Sequence, residues 1–347
     1  MKQKKKINWK WLSFIGLSLV IFLSFAIRLP YYIELPGDST DIRQVLQVND
    51  DNDRASGEYQ FVTIRMMPAN FAGIVYSWLT PFSDIHSEKE LTGGGTDKDF
   101  QRINQFYMES SQNLAVYQGL KTAGKQVDMK YLGVYVLNVA ENSTFKDILH
   151  ITDTVTKVNG KSFESSAKLI EYVGSQKIDD PVTVTYTEDG VSKEASGKII
   201  KLANGKNGIG ISLVDHTEAK SDVPIRFSTL GIGGPSAGLM FSLDIYTQVA
   251  QPDLRKGRKI AGTGTIEQDG KVGDIGGIDK KVYAAHKAGA EIFFAPDNPV
   301  SEEMKKQDPN AKTNYQTALQ AAKELKTQMK IVPVKTLQDA IDYLNKN

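Results

Sequence analysis

The sequence predicts an α+β protein in which one N-terminal transmembrane helix precedes two domains. Three observations support this fold class: an apolar run from Trp11 to Ile27, a series of short strand patterns between residues 128 and about 200, and mixed helix and strand patterns on either side of that series. The chain has 347 residues, of which 40% are hydrophobic and 24% charged, so it is long enough for two domains and an appendage.

Composition excludes several classes of function. The 42 basic and 41 acidic residues leave a net charge of +1, so no general attraction for nucleic acid is expected. The absence of cysteine removes disulfides, thiolate metal sites and cysteine nucleophiles. With only four histidines, we expect no metal site and no cofactor. Any nucleophile must therefore be an oxygen or an amine.

The N-terminus predicts a single-pass membrane protein. Residues 1–6 form a lysine-rich cytoplasmic tail, and residues 7–27 form an anchor of about 20 residues, which suits a hydrocarbon core of roughly 30 Å. The positive-inside bias leaves the N-terminus in the cytoplasm and the body outside the cell, and Trp9 and Trp11 fit an interfacial belt. A signal peptide with a Ser24–Ala26 cleavage site is the alternative, although the apolar run exceeds the usual length of such a core. Either reading predicts export.

The next hundred residues predict a stalk and the start of a folded domain. Residues 28–57 are polar and are interrupted by Pro36-Gly37 and an acidic stretch, which indicates a stalk or loop. Residues 58–66 predict a strand, and a helix is expected over 97–122, ended by Gly124.

Residues 128–203 predict one compact module of short strands. Strands are expected at 131–139, 154–158, 182–187 and from 191 onward, with a helix over 165–173 and turns at Asn159-Gly160 and Asp189-Gly190. The YLGV opening and the run TDTVTKVNGKSF resemble a bacterial PDZ domain, although Thr152-Asp153 stands where that family often has Gly-Asp. The resemblance implies a peptide-binding groove lined by Leu132, Gly133 and Val134, in which the peptide adds as a strand.

A glycine-rich turn, which follows a buried strand predicted at 223–227, presents a candidate nucleophile, Ser236, at the start of a predicted helix. Glycines at 233 and 234 permit a tight turn, and Pro235 suits a first helical turn. Free amides at this helix start can stabilise an oxyanion. Gly234, Pro235 and Ala237 are the candidate residues of this oxyanion-binding backbone turn. A serine hydroxyl nevertheless needs a base.

The candidate bases are the histidines and the lysines. His216 lies in a polar run that predicts solvated surface, and His286 lies mid-helix without a predictable acidic partner, so a Ser-His pair has no support. Lys281 follows the Gly276-Gly277 turn and falls in the first turn of a helix whose expected N-cap is Asp279. The positive end of the helix dipole disfavours an ammonium there.

Four segments resemble the Ser-Lys peptidase domain of the Lon family. They are GGPSAGLMF at 233–241, AGTGTI at 261–266, VGDIGGIDKKVYAAHKAGAEIFFAP at 272–296 and VPVKTLQDAIDYL at 332–344. The resemblance implies that Ser236 is the nucleophile, that Lys281 rather than Lys280 is the base, and that Thr263 orients the lysine. MESSQNLA at 108–115 also resembles that domain. Residues 58–127 and 204–347 would then form its first and catalytic parts, with the PDZ domain inserted between them.

The overall layout resembles the exported PDZ and S16-type proteases of Gram-positive bacteria, the YlbL/SepM-like group. No GxxxxGK[ST] sequence occurs, so we expect no ATP-driven unfolding and a peptide or unstructured protein as substrate. The resemblance implies processing of a secreted peptide pheromone in quorum sensing, and a possible homo-oligomer. The alternative is a PDZ-based binding adaptor on an inactive peptidase scaffold, against which the intact Ser236, Lys281 and Thr263 argue.

Overall fold

The computed structural model describes residues 9–51, 53–188, 190–229, 231–250 and 252–347. The predicted cytoplasmic tail at 1–6, the first two residues of the predicted anchor and Asp189 of a predicted turn lie outside these ranges.

The helices and strands mix throughout the chain, in agreement with the predicted α+β class. The helices are α1 Trp9–Ala26, α2 Phe71–Leu79, α3 Glu88–Thr92, α4 Asp97–Thr122, α5 Ser166–Gly174, α6 Gly238–Ala250, α7 Ile278–Lys287, α8 Glu302–Gln307, α9 Asn314–Glu324 and α10 Leu337–Lys346. The strands are β1 Arg28–Asp41, β2 Leu46–Val48, β3 Glu58–Asn70, β4 Asp84–Ser87, β5 Asp128–Val139, β6 Thr154–Val158, β7 Pro181–Glu188, β8 Val191–Lys198, β9 Ile200–Lys201, β10 Asn207–Gly208, β11 Ile211–Lys220, β12 Ile225–Phe227, β13 Lys259–Gly262, β14 Thr265–Ile266, β15 Val272–Gly273, β16 Ile292–Pro296 and β17 Lys330–Val334.

A six-stranded sheet in the order β17-β16-β13-β3-β1-β4 forms the centre of one domain. Side chains alternate between its two faces, as the period of a strand requires. Ile260 and Phe294 face a core that includes residues of α4, α6 and α10, whereas Ala261 and Phe293 face residues of α7 and α9. Helices therefore cover both faces of this sheet.

The module at 128–220 has its own sheet and its own core. Its five strands lie in the order β11-β5-β6-β7-β8, and a cluster including Val134, Val155, Leu169 and Val184 joins them to α5. In sequence this module separates β3 from β13, yet these two strands pair in parallel, with Glu58 opposite Lys259. The six-stranded sheet is thus completed only after the chain has returned from the module.

The predicted stalk at 28–57 is wrong. Arg28–Asp41 is a strand that pairs with both β3 and β4, and Ile33 within it is fully buried. The Pro36-Gly37 pair creates a register shift in the strand without ending it. A Cβ at residue 37 would lie 2.6 Å from the carbonyl oxygen of Thr63, so the shift requires a glycine.

Three smaller expectations also fail. The module does not end at residue 203, because β11 at 211–220 pairs with β5 along its length. The expected buried strand at 223–227 is a three-residue strand that is only partly buried. His216 is not a solvated residue: Nδ1 lies 2.8 Å from Thr154 Oγ1, and its ring contacts Phe106 edge to face at 5.4 Å.

Candidate active site

The Ser236 turn is held in place by α4. The backbone N–H of Gly234 donates to the carbonyl oxygen of Asn104 at 2.8 Å, and Ser111 Oγ donates to the carbonyl oxygen of Pro235 at 2.9 Å. Gly234 has φ = +87°, a conformation that favours glycine. Because α4 comes from the other side of the inserted module, the nucleophile turn depends on a long-range contact that spacing along the sequence does not show.

Lys281 lies in the first turn of α7, next to Ser236. The helix begins after Gly277, which adopts a left-handed conformation and makes no side-chain cap, so the expectation that Asp279 is the N-cap is wrong. Asp279 is instead a residue of the first turn. The position of Lys281 relative to the helix start is nevertheless the one expected.

Three predicted site residues meet at one point. Lys281 Nζ lies 2.7 Å from Ser236 Oγ and 3.0 Å from Thr263 Oγ1. Thr263 Oγ1 donates its own proton to the carbonyl oxygen of Ser236 at 3.1 Å. Thr263 can therefore only accept from Lys281, and a neutral Lys281 that donates one N–H to Thr263 can turn its lone pair toward the serine hydroxyl.

The environment of Lys281 favours the neutral amine. The residue is 3% exposed, and burial lowers its pKa from the ordinary value to about 7, although the negative charge of Glu34 opposes part of this effect. Burial, rather than the end of the helix, is thus the main cause.

The neighbouring Lys280 has the opposite environment. Its ammonium pairs with Asp84, and Nζ lies 3.5 Å from Asp279 and 3.9 Å from Glu34. Burial alone would lower the pKa of Lys280, but the hydrogen bond to Asp84 and the surrounding carboxylate charges outweigh it, so the pKa is raised. Sequence reasoning missed this network because it placed Glu34 in a stalk.

The same network includes the one metal-like cluster found in the described ranges. One ligand atom each from Glu34, Asp84 and His86 lies within 4.8 Å of the others, and His86 Nε2 is 2.9 Å from Glu34 Oε2. Lys280 already supplies a cation to these carboxylates, so the donor set favours an ion-pair network over a metal centre.

Backbone donors are available beside Ser236. In the part of the chain that the structure describes, the amides of Ser236 and Ala237 have no protein acceptor. The Gly238 amide turns back to Pro235 at 3.3 Å. The two free amides lie where α6 begins, and they can donate to an oxygen that develops negative charge.

The predicted peptide groove at Leu132, Gly133 and Val134 is wrong in its placement. These residues belong to β5, whose two edges are occupied by β11 and β6, and the Val134 side chain is fully buried. A peptide cannot add to a strand that is paired on both sides. The edge strands of this sheet are β11 and β8, and α5 lies beside β11, with the Ser166 amide donating to Asp215 at 2.7 Å. A strand added beside this helix would therefore pair with β11.

Two family models match the chain. The PDZ domain model matches residues 122–199, and the model described as Lon protease (S16) C-terminal proteolytic domain matches residues 190–345.

Curated relatives match part of the chain. The Lon protease of Mesomycoplasma hyopneumoniae is 32% identical over 113 residues, which cover 33% of this chain and 11% of that protein. The Lon protease of Campylobacter concisus is 33% identical over 109 residues, which cover 31% of this chain and 11% of that protein. The chain thus spans about a tenth of the length of these relatives.

Solved PDZ domains are among the structures to which the chain is similar. The PDZ domain of an SdrC-like protein from Listeria monocytogenes is 36% identical and covers 24% of this chain and 90% of its own, with a TM-score of 0.24. The corresponding Listeria innocua domain is 40% identical and covers 24% of this chain and 96% of its own, with a TM-score of 0.23.

A Lon-type domain indicates a serine peptidase. The chain therefore carries a PDZ domain and the C-terminal proteolytic domain of the Lon (S16) protease family.

Proposed function

We propose that this protein is an exported, membrane-anchored serine endopeptidase that cleaves flexible peptides without ATP, with Ser236 as nucleophile and Lys281 as general base. The observation that carries the proposal is the 2.7 Å separation of Lys281 Nζ and Ser236 Oγ in a site where the lysine is buried. Within hydrogen-bond reach, a neutral amine can take the proton of a serine hydroxyl directly.

The reaction proceeds through an acyl-enzyme. Lys281 accepts the Ser236 proton while Oγ forms a bond to the substrate carbonyl carbon, and the carbonyl oxygen becomes an oxyanion that the amides of Ser236 and Ala237 stabilise. The C–N bond then breaks, and the Lys281 ammonium returns its proton to the leaving amine. Lys281 then deprotonates a water molecule that adds to the ester carbon. The bond from this carbon to Ser236 Oγ breaks, the Lys281 ammonium returns the proton to Oγ, and the second fragment leaves as a carboxylic acid.

The membrane anchor is supported by α1. It has 18 residues, none of them buried, and its composition is that of a helix that can cross a bilayer. The lysines at the N-terminus of the sequence favour a cytoplasmic N-terminus and an extracellular body.

The substrate class follows from what the chain offers for unfolding and binding. The 347 residues contain no GxxxxGK[ST] sequence, so we propose that substrates arrive already flexible. A PDZ domain binds extended peptides, and the edge of β11 beside α5 is the surface that we propose for that purpose. A secreted peptide pheromone is our candidate substrate, on the resemblance of the layout alone.

The test is cleavage of a diverse set of unstructured peptides by the purified full chain in detergent, read by mass spectrometry with and without ATP. Ser236→Ala and Lys281→Met should each abolish the fragments, whereas Ser228→Ala and Lys287→Met, at exposed positions near the same elements, should not. Equal cleavage with and without ATP is expected. Full activity of Lys281→Met would overturn the dyad, and no cleavage of any peptide by the unmodified chain would favour the adaptor.

A further inference from the structure

Helix α2 presents its apolar side to the outside of the protein. Phe71, Val75, Trp78 and Leu79 recur at helical spacing, and their exposed fractions are 51, 52, 75 and 79%. The opposite face packs inward: Ser77 is 2% exposed, and a Cβ at Gly73 would lie 2.8 Å from the Ile33 side chain. A surface helix of a soluble protein shows the reverse polarity.

The helix contains no charged residue that could solvate this face. Its sequence is FAGIVYSWL, and Tyr76 and Trp78 are 57% and 75% exposed. Tyrosine and tryptophan are the side chains enriched where a membrane meets water. The composition thus fits a lipid interface better than bulk water.

The start of α2 is joined to the end of α1. Asn70 caps α2, since its Oδ1 accepts from the Gly73 amide at 2.7 Å, and its Nδ2 donates to the carbonyl oxygen of Phe25 in α1 at 3.1 Å. Asn70 also lies opposite Arg28 in the pairing of β3 with β1, just after α1 ends. The exposed apolar face therefore begins at the level where the candidate membrane span ends.

We propose that α2 lies in the interface of the same bilayer that α1 crosses, with Phe71, Val75, Trp78 and Leu79 inserted among the lipids. This inference rests on the proposed membrane anchor. Insertion of about 5–10 Å is typical of interfacial helices. A second copy of the chain is the competing occupant of this face. The continuity with α1 and the aromatic side chains favour lipid, and the experiment separates the two.

The test uses the indole of Trp78 in the full chain. With Trp9→Phe and Trp11→Phe, Trp78 is the sole tryptophan, because the sequence has three. The chain is reconstituted into phosphatidylcholine vesicles, with or without bromine on the upper part of the acyl chains. We expect blue-shifted Trp78 emission that brominated lipid quenches. A control with Trp78→Phe and Leu319→Trp places the indole at an exposed site on α9, where brominated lipid should not quench it.

Each other outcome overturns the proposal. Unshifted emission without quenching by brominated lipid shows that α2 stays in water. Blue-shifted emission without quenching shows that a second copy covers it. Flotation of the chain with the vesicles reports the anchor separately, so loss of flotation refutes the anchor as well, whereas flotation without quenching refutes only the placement of α2. Peptide cleavage by the same samples tests the peptidase independently of both.

Discussion

Lys280 and Lys281 are consecutive residues of one helix, yet their side-chain nitrogens meet opposite partners. Lys280 Nζ faces the carboxylates of Asp84, Asp279 and Glu34, and Lys281 Nζ faces the hydroxyls of Ser236 and Thr263. The charge of Glu34 on its own would raise the pKa of Lys281, and the Lys280 ammonium beside Glu34 offsets that charge. The first lysine thus helps the second to remain a neutral amine.

The proposed base predicts a rise of activity with pH. Burial lowers the pKa of Lys281 to about 7, so the fraction of neutral amine increases as pH rises through that value. We expect kcat/KM to fall about tenfold per pH unit well below 7 and to level off above it. Initial rates with one peptide between pH 5 and 9 measure this, with chain integrity checked at each pH. A flat profile across this range would rule out titration of Lys281.

The Lys280 network predicts two opposite shifts of that profile. Lys280→Met leaves the charges of Glu34 and Asp84 unbalanced near Lys281, so the acidic limb should move to higher pH. Glu34→Gln removes a charge that raises the pKa of Lys281, so the limb should move to lower pH. A limb that stays in place in both folded variants would show that the network does not act on the base. Glu34→Gln keeps the test possible if Lys280→Met does not fold.

Thr263 predicts a loss of turnover that a hydroxyl restores. Thr263→Val keeps the shape of the side chain but removes the oxygen 3.0 Å from Lys281 Nζ, so the lysine loses its orienting partner. One such hydrogen bond is worth about 1–2 kcal/mol, and we therefore expect kcat to fall roughly 5- to 30-fold with little change in KM. Thr263→Ser should recover most of the rate. An unchanged kcat in Thr263→Val, or a change confined to KM, would contradict an orienting role.

A buried carboxyl behind the site predicts a pH-dependent stability. Asp244 in α6 is 1% exposed, its Oδ1 has no hydrogen-bond partner among the described residues, and burial raises its pKa to about 7. The folded protein holds the Asp244 proton more tightly than the unfolded chain does. The contribution of this protonated carboxyl to stability is therefore fully present below about pH 4 and is lost as pH rises through 7. At pH 8, Asp244→Asn should be more stable than the unmodified chain, by no more than about 4 kcal/mol.

Thermal unfolding at pH 4, 6 and 8 measures this difference, with Ser236→Ala present in every sample to prevent self-cleavage. Asp222→Asn, at an exposed position, is the matched control and should show no pH-dependent gain. A gain of Asp244→Asn that is equal at all three pH values would refute the account.

Local sequence patterns predicted which residues meet at the candidate site better than they predicted the residues that support them. Ser236, Thr263 and Lys281 each lie in a short motif, and motifs are local. Glu34 was missed because its role depends on β1 pairing with β4 and packing on α7, and the Pro36-Gly37 pair suggested a break where the strand only shifts register. The PDZ groove was misplaced for a similar reason, since β11 covers the edge of β5 from about 80 residues farther along the chain.

The short passage from α1 into β1 limits where the proposed peptidase could cleave. Only Ile27 separates the two elements, so no long flexible linker joins α1 to the folded body. From Arg28 to Glu34 the strand rises about 20 Å, so the proposed anchor would keep the candidate site at a limited distance from the bilayer surface. With α1 in the bilayer, as proposed, the candidate site would stay in a thin layer parallel to the membrane. We expect peptides that emerge from, or diffuse along, that surface to reach Ser236 and Lys281 by a two-dimensional search more often than chains free in the surrounding medium.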